Sequence, residues 1–243
     1  MTQRTILSIT GADRIEFLDG LITNSVKRAA DGIIYAALLT PQGKFIADFF
    51  VVGRPDELLV DVDTRIAPAL FQRLSMYRLR ADVKITECPL IVSRGTGEAP
   101  DGALADPRHP DLGWRLYDDA DVSDDTDWTA LRVTHLIPET GIELTPETYI
   151  LEANFEALHG IDFKKGCFVG QEIVARMKHK TELKKGIRRV QIRGDARTGD
   201  EIASNGKPAG TLFSISGDQG LAYLRFDRTE SMETQKASLA LRD

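Results

Sequence analysis

Lys165-Gly166-Cys167-Phe168-Val169-Gly170-Gln171-Glu172 is the stretch on which the reading of this 243-residue chain turns. Glycines on both sides of Cys167 let the backbone turn tightly or let a ligand come close. From Gln171 to Lys178 the apolar residues Ile173, Val174 and Met177 recur at helical spacing, which predicts a helix starting just after the cysteine. Free N–H groups and the macrodipole at such a start favour negative charge, and Lys164 and Lys165 add cations immediately upstream. Together they would favour the thiolate of Cys167, provided the sulfur is not buried among apolar groups. Burial as one more small hydrophobe is a common fate of a free cysteine, and spacing alone leaves both readings open. Cys88, the other cysteine, lies beside Pro89 between two strand-like runs and has no such surroundings.

Outward from this stretch the chain is basic. Between Lys164 and Arg193 there are ten Lys or Arg against two Glu, a local +8 in a chain of net charge −6. The run Arg176, Lys178, Lys180, Lys184, Lys185, Arg188 and Arg189 reads first as a solvated face and second as a docking surface for an acidic protein or tRNA. No aromatics interleave it, so single-strand binding by base stacking is not supported. The overall acidity argues against a protein that coats nucleic acid with its whole surface. Two distant cysteines make no disulfide framework, and His109, His135, His159 and His179 share no ligand-like spacing, so no resident metal is expected. No apolar run reaches the roughly 20 residues of a membrane-spanning helix, and the segment from Met1 lacks signal-peptide architecture, so the expected address is the cytoplasm.

Upstream, Arg4–Ile9 alternates like a strand, and a helical stretch follows through Leu21 with Ile15, Leu18 and Ile22 on one face. Ile33–Thr40 and Phe45–Val52 are β-rich runs joined by Pro41-Gln42-Gly43-Lys44, the signature of a hairpin. Leu58–Val62 is a further strand; Thr64 is the expected N-cap of a helix carrying Ile66, Leu70, Leu74 and Tyr77; Asp82–Thr86 and Leu90–Ser93 are strands again. This order predicts an α+β body built on an antiparallel sheet with helices to one side. Residues 98–110 and the six-aspartate segment Asp118–Asp127 read as loops, and Trp128–Ile137 as a helix. After Lys184, glycines punctuate short strands, which predicts a small β-barrel. The domains are expected at 1–182 and 183–243.

Phe163 to Glu172 is similar to the signature of the YgfZ family, whose core is Lys-Gly-Cys-aromatic-x-Gly-Gln-Glu. The resemblance extends through Leu151–Phe155, Gly160–Asp162 and Ala175–His179. Elsewhere Phe17–Asn24 resembles the family's N-terminal helix motif, Leu39–Lys44 its hairpin turn, and Asp106-Pro107-Arg108 with Leu112-Gly113-Trp114-Arg115 its mid-chain marker. The resemblance implies a fold shared with the glycine-cleavage T-protein, a tetrahydrofolate-binding α+β body followed by a β-barrel. It also implies a role in making or maintaining iron–sulfur proteins, notably enzymes that modify tRNA. Cys167 and Lys165 would then be the functional pair, with Lys165 tuning the thiol. Asp48, Asn24, Gly166, Gly170, Gln171, Glu172 and Arg176 would bind tetrahydrofolate or a one-carbon derivative of it. Expected partners are the folate and iron–sulfur client or assembly proteins, with tRNA contact as an option and no membrane.

The departures from the T-protein pattern bear on its reaction. Where that protein carries paired aspartates this chain has Ala47-Asp48; its Arg-Leu-Glu stretch is Arg132-Val133-Thr134 here; and its Thr-Asn-Asp is Thr23-Asn24-Ser25. Missing carboxylates remove expected acid–base groups, so an aminomethyl or other one-carbon transferase is the second reading and iron–sulfur maintenance the first. A docking module using the basic 176–193 segment is the third.

Overall fold

The fold is taken from a computed structural model that describes residues 3–30, 32–180 and 182–242. The chain forms two compact units, Met1–Thr126 with Phe155–Ile173, and Asp127–Asn154 with Val174–Asp243. Residues 127–154 and 174–182, expected in the first domain, therefore group with the barrel strands. The reason is local hydrogen bonding: Ile187 N–H donates to the Glu152 carbonyl at 2.8 Å, and buried Arg132 donates to Ser214 Oγ at 3.0 Å.

The first unit follows the element order read from the sequence. Strand β1 (Arg4–Thr10) leads to helix α1 (Arg14–Asp19), then β2 (Ile33–Leu39), β3 (Phe45–Gly53), β4 (Glu57–Asp63), helix α2 (Ala67–Tyr77) and β5 (Lys84–Cys88). The five strands make one antiparallel sheet in the order β2-β3-β4-β1-β5. The period-2 alternation of each strand sends its side chains to two faces. Leu7, Ile9, Ala36, Leu38, Phe49, Val51, Val60 and Val62 go to one, where Leu18 of α1, Ile22 just after it, and Leu70 and Leu74 of α2 cover them. On the other face Ile6, Val52 and Leu59 meet Tyr117, from a smaller sheet of β6 (Ile91–Gly95), β8 (Trp114–Asp118) and β7 (Leu104–Ala105). Helices on one side was the expectation; the small sheet on the opposite side was not foreseen.

Two helix boundaries differ from expectation. α1 ends at Asp19, short of Leu21, and α2 starts at Ala67 with Ile66 at its N-cap, not at Thr64. Pro68 fits the first turn of α2, where no N–H is missed, while the Thr64 hydroxyl is 2.9 Å from that of Thr5 and not on the helix.

In the second unit, six strands close into a barrel in the order β10-β11-β12-β9-β14-β13. They are β9 (Lys185–Gly194), β10 (Glu201–Ser204), β11 (Lys207–Ser216), β12 (Gln219–Arg225), β13 (Met232–Glu233) and β14 (Ala237–Leu241). Closure leaves no free sheet edge, and Val190, Ile202, Leu212, Ala222, Leu224 and Leu239 fill the interior. Helix α3 (Trp128–Thr134) is capped by Asp127, whose side chain accepts from Ala130 N–H at 3.0 Å. Its Arg132 is buried and pairs with Glu143 at 2.8 Å and Glu139 at 3.0 Å. Glu143 accepts in turn from Ser214 N–H at 3.1 Å, so Arg132, the residue of the Arg-Leu-Glu pattern that this chain keeps, helps to fasten α3 to β11.

Candidate functional site

The cysteine segment is an irregular loop, held at both ends and open in the middle. Helix α4 (Gln171–Lys180) starts where the periodicity placed it. Between the cysteine and that start lies the turn Phe168–Gly170, closed by Gln171 N–H donating to the Phe168 carbonyl at 3.2 Å. Phe168 is buried, whereas Cys167 and Gly166 are exposed. The chain's two cysteines are both free: Cys88 is half-buried, and Cys167 is exposed.

The upstream clamp is built from the N-terminal motif. Thr23 Oγ donates to the Gly160 carbonyl at 2.6 Å and accepts from Ala37 N–H, while the Thr23 carbonyl accepts from Asp162 N–H at 3.0 Å. Asn24 Nδ2 donates to the carbonyls of Tyr35 at 2.9 Å and His159 at 2.8 Å, and its Oδ1 accepts from Ser25 N–H. Both amide hydrogens of Asn24 are thus committed inside the chain and the residue is buried. Expected as a folate contact, it instead fixes the turn ahead of the cysteine. Asn24 and Thr23 are legible as a motif, but the partners that tie them to the cysteine segment, His159 and Gly160, lie some 135 residues away in sequence.

Lys165 also turns inward. Its side chain is 1 % exposed, and Nζ donates to the carbonyls of Asp19, Ile22 at 2.7 Å and Asn24 at 3.2 Å, with the Asp19 carboxylate 3.9 Å away. An ammonium has three protons, and three carbonyls take them. Burial pulls the Lys165 pKa below the ordinary lysine value, against the opposing pull of Asp19 and Asp162. Its ammonium also lies 5.4 Å from the Phe168 ring centre. The lysine expected to tune the thiol is a clamp that ties the loop to the end of α1, and Lys164 beside it is exposed.

The downstream clamp is glycine on glycine. Gly170 has φ +84°, and a Cβ there would come within 2.7 Å of the Thr40 carbonyl oxygen and 3.1 Å of Gly43 Cα. Gly43, at φ +74° in the hairpin turn, would in turn strike Ile173 of α4. Two separate motifs, the hairpin turn and the end of the cysteine segment, are thus two halves of one contact. Gly170 serves packing rather than ligand approach. Gly166 has nothing within 4 Å of where a Cβ would be, so the space beside Cys167 is open. Gln171 is half-buried, while Glu172 and Arg176 are exposed on α4.

Asp48 is elsewhere, on the face of the sheet away from the helices. It is buried and accepts from the Tyr35 hydroxyl at 2.9 Å. Tyr35 stacks on Phe155 with ring centres 5.0 Å apart and meets Phe50 at 5.3 Å. Burial, then the Asp48 charge, pushes the Tyr35 pKa well above the ordinary phenol value, so its hydroxyl stays a donor. A pterin presents an N–H edge suited to a carboxylate and faces suited to aromatic rings. Asp48 has the chemistry to accept from such an edge; the committed amide of Asn24 does not serve it.

Beside Asp48 runs a charge network that the sequence reading missed. Asp61, fully buried on β4, is bound by Arg4 at 2.6 Å and Arg115 at 2.5 Å, and accepts from the Tyr117 hydroxyl at 3.0 Å. Asp106 holds Arg108 at 2.8 Å and lies 3.6 Å from Arg115. Arg115 lies 3.9 Å and Arg108 4.8 Å from the Phe50 ring centre. Burial pushes the Asp61 carboxyl up, but Arg4 and Arg115 outweigh it and hold it at about 2. The mid-chain marker Asp106-Pro107-Arg108…Trp114-Arg115 is therefore this network's second half. The available signal was Asp61 standing within the apolar run Leu58–Val62.

The fold is shared with the crystal structure of glycine cleavage system aminomethyltransferase T from Bartonella henselae, which matches with a TM-score of 0.74 at 13% identity, over 99% of this chain and 83% of the other. Residues 184–242 match the CAF17 C-terminal β-barrel domain. The curated homologues are iron–sulfur cluster assembly factors of the IBA57 type. That of Mycosarcoma maydis is 29% identical over 218 residues, covering 76% of this chain and 54% of its own length. Those of Mus musculus and Homo sapiens are each 27% identical, over 91% of this chain and 75% of their own. The chain thus spans about half the length of the first of these relatives and three quarters of the other two. All three are designated mitochondrial, which overturns the expectation of a cytoplasmic address.

Proposed function

We propose that this chain is a tetrahydrofolate-binding factor that supports the assembly or repair of iron–sulfur clusters, including those of tRNA-modifying enzymes, with Cys167 as its functional thiol. The observation that carries the reading is the setting of Cys167: an exposed free cysteine beside an open glycine, on a loop clamped by Lys165 and Asn24 before it and by the Gly170–Gly43 contact after it. A free thiol held out on a fixed backbone is suited to meet a sulfur-bound iron centre or a second protein's thiol. The names of the homologues supply the iron–sulfur class. Tetrahydrofolate would be held through Asp48, and the residues around the sulfur position it without taking part in a proton transfer.

Two measurements separate the parts. In cells lacking the protein, Cys167→Ala is expected to leave the activity of dependent iron–sulfur enzymes at the level of the deletion, while its thermal unfolding matches the wild type. Wild-type activity with that variant would remove the thiol from the function. Calorimetric titration with tetrahydrofolate is expected to show binding by the wild type and by Cys167→Ala, and loss of binding in Asp48→Asn. Failure of the wild type to bind would end the folate half of the reading.

A further inference from the structure

The end of α2 carries a side chain that the free protein gains nothing by displaying. Leu79 is 87% exposed, the most exposed large apolar residue described, and its backbone has φ +45°. A residue with a Cβ resists that conformation, which glycine adopts freely. Leu79 occupies the first central position of the turn Arg78–Ala81, closed by Ala81 N–H donating to the Arg78 carbonyl at 2.8 Å. Turns with positive φ at that position are built on Gly, Asn or Asp. Leucine here meets both costs at once, backbone strain and apolar exposure, and recovers neither through packing.

Both ends of the turn are fixed, which is what lets strain persist. On one side Arg78 N–H bonds back to the Leu74 carbonyl at 3.1 Å, and Leu74 is fully buried under the sheet. On the other, Asp82 N–H donates to Asp13 Oδ2 at 2.7 Å while the Asp82 carbonyl accepts from Asp13 N–H at 3.2 Å. The leucine is therefore presented on a rigid base. Met76, 61% exposed, precedes it by three residues on the last turn of the helix.

The surroundings state the partner's charge. From Thr64 to Ala81 the chain has four arginines and no Asp or Glu, within a protein of net charge −6. Arg65 is paired with Asp63. Arg73, Arg78 and Arg80 make no ion pair among the described residues, and Arg78 and Arg80 flank Leu79 directly. We infer that Leu79 with Met76 is a docking knob for a protein partner that offers an apolar pocket rimmed by carboxylates. The strain and exposure are features of the bound state's design, and the bare arginines set the sign of the rim. This surface is independent of the iron–sulfur reading and of Cys167.

The test uses the full-length protein carrying a photo-crosslinking benzoylphenylalanine at Met76, or, as control, at the exposed Val122. Irradiation in cells of the source organism, followed by mass spectrometry, is expected to give a protein adduct from Met76 that Val122 does not give. That protein, purified, is then titrated with wild type, Leu79→Gly and Arg78→Glu/Arg80→Glu. Each variant is expected to bind at least about tenfold more weakly, as loss of a buried leucine or of a complementary charge pair implies, and binding should weaken with salt. Leu79→Gly should at the same time unfold at or above the wild-type temperature, since glycine relieves the turn. Unchanged affinity in both variants, an adduct only to a second copy of this chain or to nucleic acid, or a lowered unfolding temperature in Leu79→Gly would each overturn the inference.

Discussion

The two faces of the five-stranded sheet are made by the same strands and solved in opposite ways. Toward α1 and α2, the alternating residues are all apolar, and nothing charged enters among Leu7, Phe49, Val51, Val60 and Leu70. Toward the small sheet, the intervening positions hold Arg4, Asp48 and Asp61, which meet Arg108, Arg115 and Tyr117 from the mid-chain marker. The first face is held by area removed from water, which tolerates exchange of one hydrocarbon shape for another at modest cost. The second is held by charges that need one another, because a carboxylate or guanidinium taken out of water is stable only when paired. The lesson lies in how each face fails: the apolar one by degrees, the charged one when the balance of signs is disturbed.

The largest effect should come from Asp61. Three arginines, Arg4, Arg108 and Arg115, share Asp61 and Asp106, and Asp61 alone binds two of them. Asp61→Asn leaves Arg115, itself 2% exposed, with the Tyr117 hydroxyl at 3.2 Å and, as carboxylate, Asp106 at 3.6 Å. The expected loss in urea denaturation is about 3–5 kcal/mol, the cost of breaking a buried pair. Arg115→Met should cost less, because Arg4 stays on Asp61 and Arg108 on Asp106. The double variant should recover part of the Asp61→Asn loss. On the helix face, Leu70→Ala should cost about 2–5 kcal/mol through its cavity, and Asp61→Asn should not worsen it beyond addition. A loss below about 1 kcal/mol for Asp61→Asn would break the contrast between the faces.

A second difference is sensitivity to acid. Asp61 has a carboxyl at about 2 in the folded chain against 3.8 unfolded, and Asp106 is lowered likewise, its burial outweighed by Arg108. The unfolded chain therefore binds more protons in this range, so stability is fully present above pH 3.8 and is lost as pH falls toward 2. The Asp61 share is on the order of 2 kcal/mol. Urea midpoints measured between pH 5 and pH 2 should fall through that window in the wild type, and the slope should flatten in Asp61→Asn. An equal slope in both would assign acid sensitivity to other carboxylates.

Legibility in the sequence followed the same division. Alternation and turn residues are local, so the element order, the 41–44 hairpin, the α4 start and the glycine-punctuated barrel could all be read along the chain. The helix-facing core was legible for the same reason, since period 2 marks Leu7, Ile9, Phe49 and Val51 without knowledge of the partner. Asp61–Arg115 was not, because nothing near Asp61 in sequence says that an arginine 54 residues later will be folded onto it. Lys165 was read as a cation beside a thiol because sequence proximity was the only distance to hand; in the fold its ammonium faces residues 19–24. Leu79 was invisible for a different reason. Helical spacing accounts for Leu70, Leu74 and Tyr77 and says nothing of a turn that holds a leucine in a glycine's conformation.

The smallest effect expected is at Tyr35→Phe, and it tests where Asp48 belongs. Tyr35 is fully buried, its ring set against Phe50 and Phe155, and phenylalanine preserves that packing. Only the 2.9 Å bond to Asp48 is lost, worth about 1.5 kcal/mol, the low end for a hydrogen bond to a charged acceptor. Because burial and the Asp48 charge keep the phenol protonated far above its ordinary range, that loss should be the same at pH 6 and pH 9. If Asp48 also holds a pterin edge, freeing its oxygen from Tyr35 leaves the carboxylate in place, so tetrahydrofolate affinity in the calorimeter should survive Tyr35→Phe and vanish in Asp48→Asn. If instead Asp48 serves only the charged face, both variants should alter stability and neither should alter ligand binding.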